Sequence, residues 1–469
     1  MPRIAFAFSG SADVDVSAFQ IALPEGLTLA SDTIERRPPS GGKQTFLRHY
    51  GSTVFGQGLT LGIGILTGIL SARMLGPVGR GEYAAIIIWP TGIAMLCSTG
   101  INQAIAFTVG RRIFTLSEIA TAATAIGLIQ SVLSVLLGLL VVPFALAKYS
   151  LTVQHLGIIV ALFTPALILG GYPSNLFQGL PDLLRFNLIR VIAPFTFLVG
   201  LVGLYFFHRG TLNAVISWQL IGYVAALLIG LVSVWAVLKP RLQWNSTAIP
   251  ALIHFGARTQ ATNLASYFNQ RIDQLILSLF VPPQQLGFYA VAVTLSTAVT
   301  VFPQAAGIVA FSHGSGQGTE DAKTTIGRSF RASLAWLLIC CTALYALSPF
   351  LIRVVFGAAF EGSILACRIL LPGALMIGLN QVLYNGASAL GRPGIPSIAE
   401  GVSMAVTAVG LYVLVPHYGY VGAAIVSSVA YTVSFLVMLG LAHRLLGLDF
   451  RTLLIGERNP ERTNAGLLP

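Results

Sequence analysis

From Gly51 to about Leu446 the chain alternates long apolar runs with short polar, basic or Gly/Pro-containing breaks. Each run has the ~20 residues a helix needs to cross a hydrocarbon core of ~30 Å. Only closed backbone hydrogen bonding is tolerated there, so the runs predict transmembrane helices. The expected spans are 51 to 72, 83 to 109, 119 to 147, 155 to 179, 185 to 208 and 212 to 238, then 254 to 280, 286 to 312, 327 to 348, 363 to 389, 394 to 416 and 420 to 446. The implied fold class is all-α: a polytopic membrane protein of about 12 transmembrane helices.

Composition agrees, since 55% of the residues are hydrophobic and only 9% charged, against roughly a quarter charged in soluble domains. The net charge of +11 is explained by where the cations fall. With a cytoplasmic N-terminus, that face collects Arg36, Arg37, Lys43, Arg48, Arg111, Arg112, Arg185, Arg190, Lys239, Arg241 and most of the remaining cations, including those of the C-terminal tail. The other face holds Arg73, Arg80, Lys148, Arg209, Arg353 and Arg368. An excess of about three to one predicts both termini in the cytoplasm and a multi-pass protein of a bacterial inner membrane. The basic balance is then topology, with anionic lipids as partners, and no nucleic-acid binding is expected. Cys97, Cys340, Cys341 and Cys367 fall in or beside apolar spans without CxxC spacing, which indicates neither a zinc site nor a disulfide framework. Neither metal nor cofactor is expected. Residues 1–45 read as a disordered cytoplasmic tail or an overextended gene start, and residues 447–469 as a second tail.

Lys239-Pro240-Arg241-Leu242-Gln243-Trp244 marks a midpoint. It predicts an amphipathic cytoplasmic linker over 239–253 between a six-helix bundle at 46–238 and another at 254–446. Two echoes support a repeat. Pro77-Val78-Gly79-Arg80-Gly81-Glu82-Tyr83-Ala84 matches Pro283-Gln284-Gln285-Leu286-Gly287-Phe288-Tyr289-Ala290 in its proline-to-glycine spacing, and Gly179-Leu180-Pro181 matches Gly391-Arg392-Pro393. Six spans is an even number, so the halves are parallel pseudo-symmetric repeats, an arrangement that typically encloses a central site.

The seventh span is the least lipid-like. Gln260, Asn263, Tyr267, Gln270, Arg271 and Gln274 fall in one arc of roughly 100°. Thr262, Ser266, Asn269 and Asp273 flank it, while Ala261, Leu264, Ala265, Phe268, Ile272 and Leu275 form a lipid-compatible face. Such a helix lines a wet cavity. A charge at mid-membrane costs at least ~2.5 kcal/mol on the insertion scale, which makes Arg271 the first candidate for substrate binding. Asp273 is about 200° away around the helix, so it looks elsewhere, either to an interhelical ion pair or to a coupling ion. Arg190 and Arg258 lie about one turn inside their ends, where they either snorkel or join Arg271 in a cationic ladder suited to phosphate. Asn380, Tyr384 and Ser388, with Gln381 and Asn385 beside them, form a stripe that serves as interhelical glue or as a sugar-binding wall. Glu400 is the other carboxylate that could couple an ion, with an interhelical hydrogen bond as its alternative. The Gly314-to-Gly318 run lacks a phosphate-loop ending, and no catalytic cluster is visible, so the chain is not expected to be an enzyme.

Ala72-Arg73-Met74-Leu75-Gly76-Pro77-x-Gly79-x-Gly81-x-Tyr83-Ala84 resembles the signature after the first helix of the polysaccharide biosynthesis flippases. These are the Wzx-type branch of the multidrug/oligosaccharidyl-lipid/polysaccharide exporter superfamily. Arg271-Ile272-Asp273-Gln274-Leu275-x-Leu277 and Pro416-x-x-Gly419-Tyr420-x-Gly422-Ala423-Ala424 look like its later motifs. The resemblance implies a flippase for undecaprenyl-pyrophosphate-linked oligosaccharide, working by alternating access around a cationic cavity. It also implies proton or sodium coupling, with a polysaccharide polymerase as a candidate partner. The rival reading is a drug or organic-cation antiporter, for which an acidic cavity would be expected.

Overall fold

The computed structural model describes residues 43–180, 182–314, 319–390, 392, 394–448 and 453–454. Residues 1–42 and most of those after 448, where the two tails are expected, lie outside these. So do Pro181, Gly391 and Pro393 of the second sequence echo, and 315–318 of the glycine-rich run. The described residues from Leu47 onward form one structural unit.

Among the described residues every regular element is helical. The order is α1 (Lys43–Cys97), α2 (Ile101–Arg111), α3 (Leu116–Ala145), α4 (Leu151–Leu162), α5 (Thr164–Gly179), α6 (Leu183–Phe206), α7 (Leu212–Leu238), α8 (Ala248–Phe280), α9 (Pro283–Thr297), α10 (Val301–Gly314), α11 (Thr319–Leu351), α12 (Ser363–Ala389) and α13 (Ile395–Leu446). A π-helical turn, Ile352–Phe356, and a 3-10 turn, Ala358–Phe360, lead from α11 to α12.

Nine helical stretches among the described residues are long and apolar enough to cross a membrane, against the expected twelve. The difference has physical causes. α1 and α13 are each long enough to hold two passes and bend at Gly76 (φ 66°) and Gly419 (φ 54°), left-handed values that cost glycine least. The polar residues of α8 keep it below the apolarity of a lipid-facing span.

α3 shows what places these helices in lipid. Its small residues Ala122, Ala123, Gly127, Ser134 and Gly138 are buried, whereas Leu128, Val132, Leu136 and Leu140 are exposed. Lipid tails are as apolar as leucine, so helices associate through close packing of small residues and turn their large side chains outward.

α5 packs on α2, α3, α6 and α7, while α12 packs on α9, α10, α11 and α13. α8 packs on α13 and also on α2 and α3, which makes it the bridge between these two sets. Its N-terminus comes earlier than the expected start at 254 because Asn245 turns the chain, accepting from the Thr247 amide at 2.9 Å and hydroxyl at 2.7 Å. Residues of the basic segment are pinned to the start of α3. The Arg241 amide donates to Ser117 Oγ at 3.1 Å and Asn245 donates to Glu118 at 2.8 Å.

Candidate functional site

A cavity of about 370 Å³ lies between α1 and the helices α8, α9, α10, α12 and α13. α1 supplies Thr60, Leu61, Gly64 and Ile65; α8 supplies Gln270, Arg271 and Asp273; Gln304, Gln381 and Tyr431 come from α10, α12 and α13. The wall is thus rich in hydroxyls and amides around one exposed guanidinium.

Arg271 and Asp273 separate as the helical geometry requires. Arg271 is exposed to the cavity, and Asp273 is 3% exposed. Asp273 accepts hydrogen bonds from the Tyr289 hydroxyl, from Ser427 Oγ at 3.3 Å and from the Gln274 amide at 2.6 Å. Tyr289 Oη and Ser427 Oγ are themselves 3.1 Å apart. The carboxylate therefore ties α8 to α9 and α13 through hydroxyls rather than through an ion pair. Among the described residues it makes no ion pair with Arg271 at contact distance.

The rest of the predicted polar arc of α8 divides. Gln270 faces the cavity with Arg271. Gln260 and Gln274 are buried, and Gln260 donates to the Met95 carbonyl at 2.6 Å and to Ser98 Oγ at 3.3 Å, joining α8 to the end of α1. Asn263 is half-buried. Tyr267 lies 3.3 Å from the Thr91 hydroxyl. Leu275, expected on the lipid side, is buried. The cause is that α8 is enclosed on several sides by α2, α3 and α13, so its least polar face also meets protein.

The α12 stripe and Glu400 form a second network. Asn269 donates to Glu400 at 2.5 Å, and Ser403 donates to Asn269 Oδ1 at 3.1 Å. Asn380 donates to Ser434 at 3.2 Å, and Tyr384 Oη lies 3.1 Å from the same hydroxyl. Tyr384 also hydrogen-bonds to Glu400. These residues tie α8, α12 and α13 together, and Gln381 is the stripe residue that reaches the cavity. Arg190 is exposed on α6 with its guanidinium 5.0 Å over the Phe186 ring, and Arg258 is exposed near the start of α8. Neither lines the cavity that holds Arg271.

The sequence leaves Arg80 in the break between the first two expected spans, whereas the structure makes it helical. α1 resumes after Gly76 and carries Arg80 within it. There its guanidinium lies 5.2 Å over the Tyr83 ring. Tyr83 donates to Gln219 of α7 at 2.8 Å. Tyr83 and Tyr289 stand at the same place in the repeated motif, and each bonds to the helical pass four further along in its own half, Tyr83 to Gln219 and Tyr289 to Ser427. That repeat was the available signal for both tyrosines. Among the described residues no cluster of His, Cys, Asp and Glu could hold a metal ion.

Among known proteins, the chain is 22% identical over 370 residues to a Shigella flexneri protein named as a putative O-antigen transporter, covering 76% of this chain and 87% of the relative. It is 21% identical over 226 residues to a Haloferax volcanii protein named as a probable low-salt glycan biosynthesis flippase, covering 47% of each. Among solved structures, the lipid II flippase MurJ in an inward closed conformation superposes with a TM-score of 0.69 at 17% identity, covering 84% of this chain and 87% of that one. An inward-facing multidrug resistance MATE family transporter of the MOP superfamily superposes with a TM-score of 0.68 at 13% identity, covering 83% and 94%. At such identities these likenesses establish the helical transporter fold alone. The sequence profile of the family described as polysaccharide biosynthesis protein matches residues 46–311, more than half of the chain, and this multi-pass membrane protein therefore belongs to that family.

Proposed function

We propose that the protein flips undecaprenyl-pyrophosphate-linked oligosaccharide repeat units across a bacterial inner membrane by alternating access, for surface or exopolysaccharide biosynthesis. Both termini lie in the cytoplasm, and two six-helix bundles, 46–238 and 254–446, rock about the cavity. The observation that carries this reading is Arg271, exposed to a cavity in the apolar part of the fold with no ion pair among the described residues. A cation is costly there unless an anion visits it, and guanidinium is the side chain best shaped to hold phosphate. The amide and hydroxyl wall supplies donors and acceptors for sugars, while the lipid tail stays in the bilayer. The names of the Shigella and Haloferax relatives support the same substrate class. Asp273, buried beside the cavity, is the residue proposed to couple transport to a proton or sodium ion. A polysaccharide polymerase is the proposed partner. An organic cation would meet repulsion from Arg271, so the antiporter alternative is disfavoured.

The test is the leaflet distribution of the lipid-linked precursor, and the amount of surface polysaccharide, in a deletion strain without a redundant flippase. Precursor is expected to accumulate on the cytoplasmic side, to be released by the wild-type gene and to be released poorly by Arg271→Ala. Normal precursor distribution in the deletion strain would refute the proposal.

A further inference from the structure

The segment that joins α7 to α8 carries charge and apolar surface that the proposed function does not use. α7 and α3 are both long and apolar enough to cross a membrane, and the segment ties the C-terminal end of the one to the first two turns of the other. The Arg241 amide donates to Ser117 Oγ at 3.1 Å, and the Gln243 amide donates to Thr121 Oγ1 at 3.1 Å. The Gln243 side chain accepts from the Thr115 hydroxyl at 3.3 Å, and Asn245 donates to Glu118 at 2.8 Å. The end of one span thus meets the start of another, which sets the segment at a membrane surface, on the face where the sequence concentrates its cations.

Amides two residues apart reach the same helix, so the chain passes α3 in an extended run whose side chains alternate between two faces. Gln243 turns toward Thr115, whereas Leu242 and Trp244 on either side of it turn away and are 93% and 67% exposed. A leucine so exposed is unfavourable in water, and an indole suits the boundary between lipid headgroups and acyl chains. Lys239 and Arg241 in the segment are exposed, as are Arg111 and Arg112 at the end of α2, a short loop away from Thr115. Glu118, the carboxylate at this corner, accepts from the Thr115 amide and from Asn245, and among the described residues it forms no ion pair with any of these cations.

We infer that residues 239–245 and the end of α2 form a docking site for an anionic phospholipid of the leaflet on this face. Leu242 and Trp244 enter the acyl boundary, and Lys239, Arg241, Arg111 and Arg112 surround the headgroup. Each cation adds to the attraction of an anionic lipid, while a zwitterionic lipid offers the same apolar boundary without the net charge. The hydrogen bonds to α3 hold the segment in the extended form that presents both apolar side chains together. The bound lipid fastens the connection between the first and second halves of the chain to the membrane, whatever molecule is transported.

The experiment uses the full chain in phosphatidylcholine nanodiscs doped with increasing fractions of phosphatidylglycerol or phosphatidylcholine whose brominated acyl chains quench tryptophan on contact. The signal of Trp244 is the difference between wild type and Trp244→Phe. It is expected to be quenched at severalfold lower fractions of the anionic lipid than of the zwitterionic one, and added salt should reduce that preference. Lys239→Gln and Arg241→Gln should each lower the apparent affinity for the anionic lipid by about fivefold. Both should leave zwitterionic quenching and the melting temperature unchanged, because both side chains are exposed. Ser117→Ala combined with Thr121→Val, which frees the segment from α3, should lose the preference although every cation remains. Equal quenching of Trp244 by the two lipids would make the segment a nonspecific interfacial anchor and overturn the site. Absence of quenching by either would take the segment off the membrane and overturn it as well, as would a preference that survives removal of both Lys239 and Arg241.

Discussion

Gly81 on α1 and Gly287 on α9 lie back to back, each set against the carbonyl of the other's proline. A Cβ added to Gly81 would fall 1.8 Å from the Pro283 oxygen, and one added to Gly287 would fall 1.9 Å from the Pro77 oxygen. The two glycines hold equivalent places in the repeated motif, so the echo in the sequence is also a contact between α1 and α9. Backbone meets backbone there, and no side chain can move aside.

Gly81→Ala or Gly287→Ala must push the two segments apart by roughly 1.5 Å to reach ordinary van der Waals separation. Both variants should insert and accumulate normally but open this end of the molecule. A cysteine placed at cavity residue Thr297 should react with a membrane-impermeant maleimide several times faster than in the parent, and polysaccharide export should fall. Gly58→Ala, where an added Cβ meets nothing within 4 Å, serves as the control and should change neither. Unaltered labelling in Gly81→Ala would show that the contact does not hold the end closed.

Asp273 and Glu400 are both carboxylates in helices, yet their surroundings differ. Asp273 contributes to the cavity wall, and Glu400 does not. Asp273→Asn keeps an acceptor for Tyr289 and Ser427, so it should cost about 1 kcal/mol of stability while abolishing the dependence of flipping on an ion gradient in proteoliposomes. Glu400→Gln should leave the ion dependence in place and only lower the melting temperature, since its role is to hold Asn269 and Tyr384. Asp273→Ala should be worse for folding than Asp273→Asn, by about 2 kcal/mol, because two buried hydroxyls lose their acceptor.

The lipid-facing helices were legible in the sequence because apolar length is a strong signal, and α8 stood out through its run of amides and charges. The separation of Arg271 from Asp273 was legible too, since two residues along a helix is a little over half a turn. Which polar groups face each other was not. Gln260 and Gln270 share one arc, yet Gln260 bonds to the end of α1 while Gln270 faces the cavity. That division is set by α8 meeting different helices along its length. The break read from the Gly76-Pro77 pair is present, since Gly76 is non-helical (φ 66°, ψ −178°), but the chain returns to helix directly after it, so Arg80 stands on a helix rather than in a longer turn.

Arg73 donates to the carbonyls of Val354 and Val355, to the latter at 2.7 Å, and Lys148 donates to the Val281 carbonyl at 2.5 Å. Both cations reach from the first half of the chain to helix-end carbonyls of the second half, where the helix dipole favours positive charge. Arg73→Ala should therefore remove about 1 to 2 kcal/mol from the closure of this end and raise maleimide labelling at Thr297→Cys. Arg73→Lys should restore part of it, because a single charged donor replaces a fork. Equal labelling of Arg73→Ala and the parent would remove Arg73 from the closing contacts.

The three arginines that a ladder would join are expected to differ sharply in function. Arg271 faces a cavity without an ion pair among the described residues, whereas Arg190 rests over Phe186 on its own helix and Arg258 is exposed near the start of α8. A guanidinium over an aromatic ring contributes ~0.5 to 1 kcal/mol at an exposed site, and its loss is felt in folding rather than in substrate affinity. Arg271→Ala should reduce the flipping rate in proteoliposomes by about tenfold or more, the scale set by losing one charge-assisted contact. Arg190→Ala should stay within about twofold of wild type. Arg258→Ala should lower the rate only if a substrate phosphate passes the start of α8 on entry, in which case the loss would appear at low substrate density and vanish at saturation. Loss of rate in Arg190→Ala equal to that in Arg271→Ala would restore the ladder and move the first contact with the headgroup to α6.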